Sequence, residues 1–358
     1  MRKTPLHGWH TAHKARMVPF AGWDMPVQYA AGILAEHEQT RTRASLFDIC
    51  HMGEFIVTGE DAEEALEHVV THNLRTLKPG RSRYGFLLNP SGGILDDLLV
   101  YRVEQSVFML VVNAARIDHD RAWIQGFLPP TVALEDVSSS TAKIDLQGPL
   151  SLDVLSGVFS ENWRDLNYFA FRATMFQGQR VLVSRTGYTG ELGYEIYLPD
   201  TLALALWEAC LEDERVRPAG LGARDTLRLE MGLPLYGQDL DERHTPAEAG
   251  YEALLTSPAP YVGKERQMEV RERLVPLLIP GRRSARHDDV VCSSTGDVLG
   301  RVTSGSFAPS LGHGIALAYI DQRFDDEREF LIRTGKAELT AARTTLPFYP
   351  RGTARIKL

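Results

Sequence analysis

Two adjacent aspartates stand inside an apolar run, Ile94-Leu95-Asp96-Asp97-Leu98-Leu99-Val100-Tyr101. In a strand, alternate residues share a face, so Asp96 points with Ile94 and Leu98 while Asp97 points with Leu95 and Leu99. The two carboxylates therefore diverge and do not form an acid/base dyad. Each needs its own partner, because burying even a neutral polar group unpaired costs roughly 2–7 kcal/mol. Either one of them faces a pocket, or one pairs with a structural arginine while the other lies near the solvent end of the hairpin, and spacing alone does not say which. Glu195 repeats the anomaly in Gly193-Tyr194-Glu195-Ile196-Tyr197-Leu198. It follows a loop whose Gly187, Gly190 and Gly193 permit close backbone approach to a ligand or simply make a tight hairpin. The G-x-x-G-x-x-G spacing is not a dinucleotide fingerprint. Arg224 and Arg228 share one face of a helix expected over residues 222–231, where Asp225 can pair with Arg228. Arginine there suits a planar acceptor held by two hydrogen bonds, or an ordinary solvated ion-pair row.

Other clusters carry less. His7, His10 and His13 recur at three-residue steps, but no nearby carboxylate or thiolate completes a metal set, and no metal is expected. Cys50 and His51 are neighbours whose side chains diverge in extended chain, so Cys50 reads as a small buried residue. The basic groups Lys78, Arg81, Arg83 and Arg282, Arg283, Arg286 are either solvated faces or a seat for a polyanionic tail or acidic partner.

The elements that must hold these residues follow from pattern. Residues 83–88 and 94–103 form a hairpin around Asn89-Pro90-Ser91-Gly92-Gly93, and residues 107–112 a third strand. Residues 116–127 and 202–210 have helical spacing, and residues 180–198 form a second hairpin. The opening segment, residues 4–29, reads as irregular chain. Beyond Pro258-Ala259-Pro260 and the charged stretch 264–273, short strands broken by Gly, Pro and Ser suggest an all-β C-terminal domain on an α+β body.

At 358 residues the chain exceeds one ordinary core. Its 44 % hydrophobic and 24 % charged residues are globular values. No apolar run reaches membrane-spanning length, and the start lacks a secretory signal pattern, so a cytoplasmic protein without membrane contact is expected. With 39 basic against 47 acidic residues, net −8, duplex nucleic acid is not an expected partner. Three scattered cysteines exclude a disulfide framework and a thiolate zinc site.

Taken in order, many blocks resemble the aminomethyltransferase (T-protein) family of the glycine cleavage system. They include Arg16-Met17-Val18-Pro19-Phe20-Ala21-Gly22-Trp23, Leu46-Phe47-Asp48-Ile49-Cys50-His51-Met52-Gly53, Gly92-Gly93-Ile94-Leu95-Asp96-Asp97-Leu98 and Val111-Val112-Asn113-Ala114. Further blocks are Leu146-Gln147-Gly148-Pro149, Arg185-Thr186-Gly187-Tyr188-Thr189-Gly190-Glu191, Gly220-Leu221-Gly222-Ala223-Arg224-Asp225 and Thr303-Ser304-Gly305-Ser306-Phe307-Ala308-Pro309. The resemblance implies an α+β, three-domain cloverleaf around a central tetrahydrofolate site, closed by a C-terminal β-barrel or jelly-roll-like domain. The implied domains are residues 1–50 with 137–260, residues 51–136 carrying the aspartate hairpin, and residues 261–358. The implied reaction moves an aminomethyl unit from the lipoyl arm of H-protein to tetrahydrofolate, giving ammonia and 5,10-methylenetetrahydrofolate.

By resemblance Asp96 is the catalytic carboxylate, and Glu195, Arg224, Tyr84, Met52, Asn113 and Tyr188 line the folate site. Arg286 would stand near the mouth of a lipoyl channel. The chain departs from the family at Tyr251-Glu252-Ala253, where Leu-Gly-Trp is usual, and at His287-Asp288-Asp289. Rival readings are a tetrahydrofolate-dependent demethylase of a small methylated amine or sulfonium, and a non-catalytic folate-binding module. The module relatives carry a cysteine loop that Arg185-Thr186-Gly187-Tyr188 lacks.

Overall fold

The computed structural model describes residues 1–335 and 337–358. A six-stranded sheet runs in the order Phe171–Phe176, Gln179–Ser184, Gly193–Pro199, Thr141–Gln147, Ala44–Asp48, Val216–Pro218. Its strands pair antiparallel except the last two, which are parallel. Leu46, Ile144, Leu146 and Ile196 bury one face with Trp163 and Trp207. The helices Ser151–Phe159 and Ala203–Leu211 cover that face.

A five-stranded antiparallel sheet follows the order Arg81–Leu88, Ile94–Glu104, Val107–Val112, Gly53–Thr58, Ala133–Asp136. Phe55, Leu98, Val100 and Phe108 pack there against Leu66 of the helix Ala62–Glu67 and Ile117 and Ile124 of the helix Ile117–Gln125. The opposite face of this sheet meets the six-stranded sheet. Tyr101, Met109 and Val111 from one join Phe171 and Tyr197 from the other in a separate apolar cluster.

The C-terminal strands Glu272–Ile279, Val290–Cys292, Val298–Ala308, His313–Asp321, Glu329–Arg333 and Glu338–Arg343 close into a six-stranded barrel. The helix Leu221–Glu230 joins it to the rest, with Leu229 packed on Ala308, Ile315 and Leu317. Arg228 on that helix is buried and donates to Asp239 at 2.7 Å and to Ser304 of the barrel at 2.9 Å. His37 adds a second tie, contacting Thr226, Ser310 and Glu230. Residues 353–356 fold back onto the loop between the strands Gln179–Ser184 and Gly193–Pro199. Thr353 bonds Glu191 and the Leu192 amide, Ala354 N–H donates to the Gly190 carbonyl, and Arg185 reaches the Ile356 carbonyl.

Both expected hairpins are present, as are the helices, with ends moved by one or two residues. The opening segment is not irregular: it holds the helix His7–Ala12 and the paired strands Arg16–Phe20 and Trp23–Gln28. Short elements rich in His, Trp and Pro carry no clear period, which hid them. Among the described residues no helix is long and apolar enough to cross a membrane.

Candidate active site between the two sheets

Strand parity and sheet packing together decide which aspartate faces outward. Asp96 lies on the side of Leu98 and Val100, the helix-covered core of its own sheet, and is 0 % exposed. Asp97 lies on the side of Leu99 and Tyr101, where the two sheets meet, and is partly exposed. This corrects the expectation for Asp96: the carboxylate at the cleft is Asp97, with Asp96 beneath it. Parity leaves the choice within the pair open, and it is the packing on either side of the strand that separates the two.

Asp97 is held by two of the expected lining residues. The Tyr84 hydroxyl donates to its Oδ2 at 2.9 Å, and the Asn113 side-chain amide donates to its Oδ1 at 2.8 Å. Burial pushes the Asp97 carboxyl up to about 7, and the charge of Asp96 adds to the push. Tyr251, at the sequence departure, packs edge-on against Tyr84 with centroids 6.0 Å apart and feels the Asp97 charge.

A second group lies on the facing sheet. In the antiparallel pair of Thr141–Gln147 and Gly193–Pro199, Glu195 stands opposite Asp145 and Tyr197 opposite Lys143. Like charges opposed across strands repel, so cations are required. Lys143 Nζ lies 3.0 Å from Glu195, and Arg224 donates to Asp145 at 2.6 Å. Burial alone would raise Glu195, but Lys143, the Thr186 hydroxyl at 2.6 Å and Arg224 hold its carboxyl below the usual range. Burial pushes Asp145 up to about 6, against the pull of Arg224 and with the help of Glu195. Met52 joins this group through Lys143, whose Nζ lies 3.5 Å from its sulfur.

Tyr188 links the two groups. Its ring lies under Arg224 at 5.0 Å, and its hydroxyl, bonded to the Pro234 carbonyl, feels the charge of Asp97. Tyr84, Asn113, Tyr188, Arg224, Glu195 and Met52 thus share one neighbourhood with Asp97. Arg286 stands apart on an exposed barrel loop, donating to the Gly305 carbonyl at 2.9 Å.

Other expectations resolve structurally. The loop glycines clear space for protein side chains: a Cβ on Gly187 or Gly193 would meet the Gln147 side chain at 2.2 and 2.1 Å, and one on Gly190 would meet Met231 at 2.3 Å. Arg228 is buried in an ion-pair network and is not part of a solvated row. The three histidines separate: His10 is buried between Asp48 and Tyr29, His7 pairs with Asp24, and His13 stacks on Trp9. No group of metal-ligating residues occurs among the described residues. Cys50 is buried, and burial pushes its thiol up; burial pushes His51 down to about 4.

Sequence reasoning missed Lys143 and Asp145. A signal was present in Thr141-Ala142-Lys143-Ile144-Asp145-Leu146-Gln147, where polar and apolar residues alternate strictly. That pattern ordinarily marks a solvated face, yet from Ala142 to Gln147 the strand is buried throughout.

The comparisons with known proteins agree with this architecture. Residues 6–257 match the GCVT N-terminal domain and residues 272–350 the glycine cleavage T-protein C-terminal barrel domain. An aminomethyltransferase of Halothermothrix orenii is 42 % identical over 91 % of this chain and 92 % of its own length. One of Synechococcus elongatus is 41 % identical over 97 % and 95 %. The crystal structure of glycine cleavage system aminomethyltransferase T from Bartonella henselae superposes with a TM-score of 0.92 at 33 % identity, covering 98 % and 99 % of the two chains. The chain belongs to the glycine cleavage T-protein family of aminomethyltransferases.

Proposed function

We propose that this protein transfers an aminomethyl unit from the lipoyl group of a carrier H-protein to tetrahydrofolate, with Asp97 as the reacting-site carboxylate. The bond from carbon to nitrogen in the carrier adduct breaks and ammonia leaves. The carbon becomes bonded to the folate as its 5,10-methylene bridge, and the lipoyl sulfur departs as a thiol. The observation that carries this reading is Asp97 itself: a carboxylate fixed by Tyr84 and Asn113 where the two sheets meet. A one-carbon iminium-like centre is cationic, so a preset carboxylate beside it lowers the barrier and orients the attacking folate nitrogen.

Glu195 supports the choice of acceptor. Held ionised, it keeps lone pairs beyond those used by Lys143 and Thr186, and a carboxylate matches the planar donor pair of a pterin ring. Tyr84, Met52, Asn113, Tyr188 and Arg224 complete the proposed folate pocket, and Arg286 is proposed to meet the carrier arm. The chemistry needs no metal. We take the two large sheets and the barrel as the centres of the three domains, the first discontinuous over residues 1–50 and 137–260.

The test is ammonia release from aminomethylated, lipoylated H-protein, with and without tetrahydrofolate. Release that depends on tetrahydrofolate supports the reading. Tetrahydrofolate binding without release would assign the folate site but reject this donor.

A further inference from the structure

Beneath Asp97 lies a second carboxylate layer that the proposed chemistry does not use. Asp96 Oδ2 accepts the backbone N–H of Asn113 at 3.0 Å, and its Oδ1 accepts the Asn113 side-chain amide at 2.8 Å. The same amide nitrogen donates to Asp97, so its two hydrogens are committed to two different aspartates. A flipped amide would aim its carbonyl oxygen at both carboxylates. Asp120, on the helix Ile117–Gln125, is also wholly buried, with its carboxyl beside that of Asp96. Two ionised carboxylates cannot hydrogen-bond to each other, and Asp120 Oδ2 meets no donor among the described residues.

We propose that Asp96 and Asp120 share one proton, resident on Asp120, and that the pair acts through Asn113 to fix the Asp97 carboxylate. Both are positioning residues, and the proposal rests on Asp97 being the carboxylate at the reacting centre. Charge balance requires the proton. Arg116 is the cation at this layer; its Nε lies 3.9 Å from Asp120, while its Nη2 is engaged by Glu242 at 2.9 Å. His119 touches Asp120 Oδ1 at 3.1 Å, and burial and Arg116 hold this imidazole below its usual range, so it adds no charge at neutral pH. Tyr236 faces Asp96 and Asp120 as a neutral phenol, and Tyr84, Tyr188 and Tyr251 face Asp97 likewise. Burial and the Asp96 charge push Asp120 up to about 11, in line with the bonding pattern.

Asp96 therefore stays ionised, and its charge keeps Asp97 from being an ordinary acid. Replacing Asp120 by Asn substitutes one neutral donor for another. Replacing Asp96 by Asn removes a negative charge from beside Asp97 and one of the two acceptors that orient Asn113.

The experiment measures kcat/KM for tetrahydrofolate against pH in Asp96→Asn and Asp120→Asn. It is paired with infrared spectra at pH 9 of protein labelled with carbon-13 in the aspartate side-chain carboxyls. The labelled wild type should show a protonated-carboxyl carbonyl band that Asp120→Asn removes. The acid limb of the rate profile should stay in place in Asp120→Asn and move about one unit lower in Asp96→Asn. A wild type without the band, or an Asp120→Asn limb that moves as far as the Asp96→Asn limb, overturns the proposal. Should Asp96→Asn not fold, the infrared comparison of wild type with Asp120→Asn decides alone. Full turnover by Asp97→Asn would reject the role of Asp97, whereas the band reports the shared proton independently of that role.

Discussion

A single residue's parity decides which carboxylate faces the interface between the two sheets. Asp97 is bonded by Tyr84 and Asn113 at the sheet interface, so Asp97→Asn should lower the turnover of ammonia release by about 10²–10³-fold with folate binding retained. Single-turnover kinetics beside a tetrahydrofolate titration measures both. Glu54 gives a second prediction. Its Oε1 is buried without a hydrogen-bond partner among the described residues, and burial pushes its carboxyl to about 8, Lys143 opposing, Asp136 and Glu195 adding. Because the folded pKa exceeds the unfolded 4.5, the folded state binds the extra proton. Stability from this group is present below 4.5 and drains away as pH rises through about 8. Melting temperatures of Glu54→Gln should therefore gain on wild type across that window; parallel curves would reject the assignment. The sequence displayed the anomalous Asp96, Asp97 and Glu195 because charges in apolar runs stand out. It concealed Lys143 and Asp145 because alternation looks the same whether the polar face meets water or another sheet.

At the scale of elements, hairpins and helices were legible from period and turn residues, since both signals are local. The loop Asn89-Pro90-Ser91-Gly92-Gly93 announced its turn, but not that it packs against the chain near Glu242. A Cβ on Gly93 would sit 1.9 Å from the Glu242 carbonyl oxygen, so backbone must shift to admit it. Gly93→Ala should cost about 1–3 kcal/mol, read as a lower denaturant midpoint. Since this loop joins the strand bearing Tyr84 to the strand bearing Asp97, turnover should fall with stability. The short opening elements illustrate the opposite limit. Their order comes from distant partners such as Asp48, which bonds Thr4 and His10, and no local pattern records such contacts.

Across the whole molecule, buried polar ties hold the barrel to the body. Arg228 binds Asp239 and Ser304, and Asp239 is wholly buried. Arg228→Met leaves that carboxylate without its cation, and breaking one partner of such a pair costs about 3–5 kcal/mol. Chemical denaturation of the full chain should show that loss; a change below about 1 kcal/mol, the worth of an exposed pair, would mean the tie is solvent-screened. The barrel was legible as a change of composition near residue 260, whereas its closure and docking depend on long-range pairing.

The backfolded residues 353–356 have a consequence in time. Thr353 grips Glu191 and the Leu192 amide, 161 residues earlier in the chain. At a ribosomal pace of about 5–20 residues per second, that clasp arrives roughly 8–30 s after the loop it secures. The nascent chain therefore carries the loop at residues 190–192 unsecured through the later part of translation, and the clasp closes only when residues 353–356 are delivered.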